Sequence, residues 1–244
     1  MKTNSSVKKA FELGDLDMAL ALAGQQLAEN EDDGQAWEWV GIINSSLSDF
    51  EAAVHGFEHA SARIPIAPGS QIQLAFAYGK TGRLQLACEL IHAVVSEDNV
   101  PDELVLYAAA TLNNLDRPDL AMNICNRVVH ATPSSGQAYY DLGLYAARCG
   151  YPSAVVEALA RKALELRPQQ LTYRLGLATW LAKQYRLADA YELVKQLSVT
   201  EINCIKCRCC LGRLIELYTH FDDDRRLPCQ ELAKDLPDDQ SCDC

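Results

Sequence analysis

The sequence predicts an all-α protein, a solenoid of six to seven antiparallel helical hairpins. Three observations predict it. Small residues recur at a fixed period, apolar residues inside each period fall at steps of three and four, and prolines and polar breaks punctuate the pattern.

The period is 34 residues. Ala19, Ala53, Ala87 and Ala121 are each 34 apart, and after one inserted residue the column continues through Val156 and Ala190. A second small column runs Gly41, Ala75, Ala109, Gly143, Ala178 and Gly212, with the same slip between Gly143 and Ala178. Two columns that slip together fix one register. Bulkier positions follow it too: Phe57, Ile91, Cys125, Ala160 and Val194, then Ala60, Val94, Val128, Ala163 and Leu197.

The units are 1–33, 34–67, 68–101, 102–135, 136–170 and 171–204, with capping helices over 205–236 and a tail over 237–244. In the second unit Trp37, Val40, Gly41 and Asn44 share one helical face, and Ala53, Phe57 and Ala60 share another. The polar stretch Ser45-Ser46-Leu47-Ser48-Asp49 separates them, so the unit is a hairpin. Pro65, Pro133 and Pro168 close their units, because a residue without an N–H and with a fixed φ stops a helix. Small residues mark where the two helices approach closely. No stretch of useful length shows the period-two alternation of a strand.

With Trp37, Val40-Gly41, Ala53, Phe57, Ala60 and Pro65 the second unit resembles the tetratricopeptide repeat. Tyr78 and Leu142-Gly143 supply further landmarks, while Asn44 stands in the tyrosine place. The resemblance covers nearly the whole chain and implies a single right-handed superhelix. The first unit is degenerate, with Val7, Ala10 and Glu31 at landmark places, and a seventh, Ile205 to about Leu236, keeps Gly212 but puts Asp224 in the alanine column. Terminal repeats lack one neighbour, and a polar outer face there prevents end-to-end stacking.

Composition narrows the function. The chain has 244 residues, 49% of them apolar, enough to bury a continuous core. Its net charge of −11 argues against the phosphate contacts that drive nucleic-acid binding. Eight acids against three bases between Asp222 and Cys244 read as a solubilising end. With no long apolar run and no signal peptide, the expectation is a cytoplasmic protein with reduced thiols and no membrane insertion.

In the family the resemblance points to, first helices line a concave face. Carried over, this implies a groove of Trp39, Ile72, Phe76, Leu106, Tyr107, Tyr140 and Leu144, flanked by Glu38, Ile42, Gln73, Ala110, Asn113, Asp141, Leu175, Thr179 and Lys183. The aromatic strip reads either as anchors for a protein or peptide partner or as packing between repeats. Lys80, Asn113, Asn114, Arg148 and Lys183 lack the spacing of the carboxylate clamp that some members use, so an apolar helix or extended segment is the expected occupant.

Enzyme chemistry finds little support. No serine sits in a nucleophile elbow and no glycine-rich loop follows a strand. His55 and His59 could share a metal across one helical turn but have no evident third ligand, so they read as solvated histidines. Seven of the ten cysteines lie in the last 41 residues: Cys204, Cys207, Cys209, Cys210, Cys229, Cys242 and Cys244. Three readings stay open: packing, zinc, or a disulfide or redox switch. On a continuous helix starting near Asn203, Cys204, Cys207 and Cys210 fall within one arc, while Cys209 projects away from them. Zinc would then engage Cys204, Cys207 and Cys210. No other cofactor is expected. The expected role is a non-enzymatic scaffold or adaptor, with a chaperone for a secreted or assembling partner and a metal- or redox-responsive interaction protein as alternatives.

Overall fold

The computed structural model describes residues 3–97 and 99–236, and every regular element among them is a helix. The chain forms two compact units, Met1–Val128 and Val129–Cys244. In the first, α1 (Thr3–Glu12) pairs with α2 (Leu16–Glu29), α3 (Gly34–Ser46) with α4 (Phe50–Ser61), and α5 (Pro68–Lys80) with α6 (Leu84–Ser96). Then come α7 (Asp102–Asn114) and α8 (Pro118–Ala131), whose last residues belong to the second unit. In the second unit α9 (Gly136–Arg148) pairs with α10 (Ser153–Leu166) and α11 (Leu171–Lys183) with α12 (Leu187–Val194). A short α13 (Val199–Asn203) precedes the last pair, α14 (Arg208–His220) and α15 (Arg226–Asp235).

The small columns sit where helices meet. Ala19, Ala53, Ala87, Ala121, Val156 and Ala190 are all buried, as are Phe57, Ile91, Cys125, Ala160 and Val194. Helices α3 and α4 approach closely, backbone to backbone. A Cβ on Gly56 would lie 2.5 Å from the Gly41 backbone nitrogen, and one on Gly41 would lie 2.6 Å from the Phe57 ring. Gly212 departs from its column, since a Cβ there would meet nothing within 4 Å. The smallness of that residue is not demanded by packing in the terminal hairpin.

A further column governs the turns. Gly14, Ser48, Gly82, Asp116, Gly150 and Tyr185 all have φ between 60° and 82°, and they recur every 34 residues with the same one-residue slip. Each ends the first helix of its hairpin in the left-handed conformation. The next amide then donates to the carbonyl five residues back: Asp15 to Ala10 (3.0 Å), Asp49 to Asn44 (2.9 Å), Tyr151 to Ala146 (2.9 Å) and Arg186 to Leu181 (3.0 Å). That bond satisfies a carbonyl orphaned by the helix end and reverses the chain at once. In two turns the same residue starts the second helix, where the Asp15 and Asp49 carboxylates accept from the amides of Met18 and Ala52.

Tyr185 is the costly member of this column. Its side chain is 93% exposed, so no packing compensates a left-handed backbone that a residue with a Cβ adopts at a cost of about 1 kcal/mol. Tyr185→Gly is expected to stabilise the chain by about 0.5–1 kcal/mol, after allowing for the greater freedom of glycine in the unfolded state. A urea midpoint unchanged or lowered by the substitution would count against this account of the turn.

Candidate partner-binding groove

In the second unit the first helices of successive hairpins, α9, α11 and α14, border a cavity of about 340 Å³. Tyr140, Leu144 and Arg148 come from α9, Gly176, Thr179, Trp180 and Lys183 from α11, and Arg213 from α14, with Val156 and Ala160 of α10 also lining it. A second hollow of about 350 Å³ shares Thr179, Lys183 and Arg213 and extends between α11 and α14 to Leu217 and His220. The shared residues make the two hollows adjoin.

The Tyr140 ring is held in place from two sides. It stacks on Tyr173 with centroids 4.7 Å apart, and it lies over Gly176, where a Cβ would come within 2.7 Å of the ring. Behind it Tyr173 donates its hydroxyl hydrogen to Gln137 Oε1 (2.9 Å), and Gln137 Nε2 donates to Asp141 Oδ1 (2.8 Å). Burial pushes the Asp141 carboxyl up to about 6, opposed by the Gln137 hydrogen bond.

Arg148, Lys183 and Arg213 line the cavity, and Glu216 lines the adjoining hollow; each of the three cations also has an interaction within the chain. The indole nitrogen of Trp180 is buried and has no acceptor among the described residues. A buried donor of this kind is costly until an acceptor reaches it.

The residues that the resemblance puts in the groove divide. Tyr140 and Leu144 line the cavity, and Tyr107 is 41% exposed on the first unit. Ile72 and Leu106 are buried core residues with no surface to offer a partner, so their assignment to the groove is corrected. The first helix of a hairpin packs both on its own second helix and on the adjacent hairpins, which turns those positions inward. Trp39 and Phe76 are half-buried, with Trp39 packed on Phe11 (5.7 Å) and Phe76 edge-on to Phe50 (5.5 Å), both from the preceding hairpin. Trp180 and Arg213 line the cavity without belonging to the expected set. Arg213 follows Gly212 as Leu144 follows Gly143 and Thr179 follows Ala178, so carrying the register into the seventh unit points to it.

His55 and His59 lie with ring centroids 4.3 Å apart, and His59 packs on Trp37 at 4.4 Å, a surface aromatic cluster. The cysteines depart from the helical-wheel expectation. α13 ends at Asn203, and Cys204 is its exposed C-cap. Cys207 is the N-cap of α14, lying outside both helices, so the 100° rotation per residue does not apply across it. As a result Cys209 comes to 3.2 Å from Cys207, sulfur to sulfur, and Cys207, Cys209 and Cys210 have all three sulfurs within 4.8 Å of one another. The structure thus brings together Cys207, Cys209 and Cys210, where the expected grouping was Cys204, Cys207 and Cys210. Cys229 is buried, and burial together with the Asp223 charge pushes its thiol up to about 11, as suits a packing residue. Cys242 and Cys244 lie outside the described residues.

Hairpins stacked through a small-residue column and turned by one recurring backbone bond define a helical-repeat protein. The fold is the tetratricopeptide-repeat fold. No protein-family model and no curated protein matches the chain. Among solved structures it is similar to the C-terminal part of a TPR repeat-containing protein from Cytophaga hutchinsonii (14% identity, 97% of this chain and 96% of that one, TM-score 0.64). It is similar also to YrrB, described as a TPR protein with an unusual peptide-binding site (18% identity, 68% and 86%, TM-score 0.53). A third is human IFIT1, solved as a dimer with m7Gppp-AAAA (14% identity, 90% of this chain but 54% of that one, TM-score 0.57). Among the described residues no helix is long and apolar enough to cross a membrane.

Proposed function

We propose that this chain is a non-enzymatic interaction protein that holds an acidic peptide segment, carrying an apolar or aromatic anchor, in the groove between α9, α11 and α14. The observation that carries this reading is the cavity of three cationic side chains around Tyr140, Leu144 and Trp180. Aromatic and aliphatic walls take an apolar side chain, and the cations meet carboxylates. Peptide binding by YrrB, on the same fold, agrees with it. The cytoplasm is the compartment we assign, because it keeps thiols reduced.

The test is fluorescence anisotropy with labelled ten-residue peptides, rich in Asp and Glu around one Leu, Phe or Trp, against charge-inverted Lys-rich versions. The acidic set is expected to bind and the basic set not, with affinity falling as salt rises. Lys183→Glu with Arg213→Glu is expected to weaken binding at least tenfold, about 1.4 kcal/mol, while leaving helicity unchanged. Equal binding by both peptide sets, or affinity untouched by the double substitution, overturns the proposal. So does tighter binding of a 5′-triphosphate oligoribonucleotide at the same groove, a phosphate-reading outcome that the fold shared with IFIT1 makes worth measuring.

A further inference from the structure

We infer that Cys207, Cys209 and Cys210 form a three-thiolate site for one soft d10 metal ion, Zn(II) or Cu(I). The site stands apart from the groove and rests on separate observations.

The first is geometric. Two sulfurs bound to one zinc at about 2.3 Å each, at a tetrahedral angle, are about 3.8 Å apart. The three sulfurs here lie within 4.8 Å of one another, with the Cys207–Cys209 pair at 3.2 Å, so small side-chain rotations bring all three onto one ion. Sulfur ligands of this kind select zinc and cuprous ions over harder cations.

The second is that the backbone is already set. Ile202 and Ile205 are buried and pin the loop between α13 and α14, while Leu211 and Leu214 anchor the first turns of α14. The turn carrying the three cysteines is thus held by the hydrophobic core, and a metal need not organise it. Arg208 adds a tether, donating from Nη1 to the Leu236 carbonyl at 3.4 Å.

The third is orientation. Cys207 caps α14 by accepting the Cys210 amide hydrogen at 3.3 Å, which holds its sulfur over the first turn of the helix, beside the other two. Metals of this kind are ligated by thiolate, so binding releases one proton to solvent for each sulfur still protonated, with no change of oxidation state.

The test uses the full chain, purified without an affinity tag, reduced, and titrated anaerobically with zinc and separately with Cu(I) against chromophoric chelators. One equivalent of at least one ion is expected to bind, with proton release. Cys209→Ser is expected to weaken binding at least tenfold, as are Cys207→Ser and Cys210→Ser, while Cys204→Ser leaves it unchanged. Because Cys210 is buried and its variant is the one at risk of misfolding, the half-buried Cys209 decides the matter, with circular dichroism confirming its fold. Cobalt(II) bound to the wild type should show a thiolate charge-transfer band that Cys209→Ser diminishes. Less than about a tenth of an equivalent of either ion in the reduced wild type, or equal losses in Cys204→Ser and Cys209→Ser, overturns the inference.

Discussion

Gly56→Ala is expected to destabilise the first unit by about 3 kcal/mol, and to abolish its cooperative melting if the margin is small. The new methyl would sit 2.5 Å from the Gly41 nitrogen, 2.9 Å from its Cα and 3.1 Å from the Trp37 carbonyl oxygen. All three are backbone atoms of α3. A side chain can rotate out of the way, but a helix backbone moves only by parting α3 from α4, where Phe57 and Ala53 are fully buried. Gly24→Ala is the matched control, since a Cβ there meets nothing within 4 Å. On the exposed face of α2 it is expected to stabilise by about 0.5–1 kcal/mol, because alanine loses less backbone freedom on folding. Urea denaturation followed by circular dichroism compares the two. If the substitutions have the same sign, close helix approach is not what the small column records.

The second large effect depends on pH. In the folded state the Asp141 carboxyl titrates at about 6, raised by burial, against about 3.9 when unfolded. Folded protein therefore holds this proton more tightly than unfolded chain, and the protonated acid favours folding at low pH. Stability from this group is fully present below about pH 4 and is lost as pH rises through 6. Above that a desolvated carboxylate stays beside Tyr140, with the Gln137 amide donating to it. Asp141→Asn keeps an oxygen for Gln137 and removes the charge. It is expected to stabilise the second unit by about 2 kcal/mol at pH 8, discounted for partial exposure, and by almost nothing near pH 4. Melting curves of both proteins at pH 4, 6 and 8 test this. A difference independent of pH would assign the effect to packing.

Much of this architecture is legible in the order of residues. The alanine and glycine columns, their common slip after Gly143 and the hairpin polarity all follow from one constraint, that two helices approach closely only where a side chain is small. The left-handed turn column is legible in part. Gly14, Gly82 and Gly150 mark it, but Ser48, Asp116 and Tyr185 occupy the same place and hide the period from a search for glycine.

The groove and the thiols were decided by tertiary structure. Ile72 and Tyr140 occupy the same register position on their first helices, three before Ala75 and Gly143, yet one is core and the other lines a cavity, because exposure depends on which neighbouring hairpins cover each face. Trp180 and Arg213 meet in a single cavity although 33 residues separate them, a proximity created by stacking one hairpin on the next. The break at Ile205–Cys207 has no proline or glycine to announce it. Ile202 and Ile205 beside it are both buried, and the core they enter exists only once the hairpins have stacked. The same break turns Cys209 toward Cys207. From sequence alone the period and its hairpins were determined, since they repeat a local rule; the sites were not, since each depends on what the fold places opposite it.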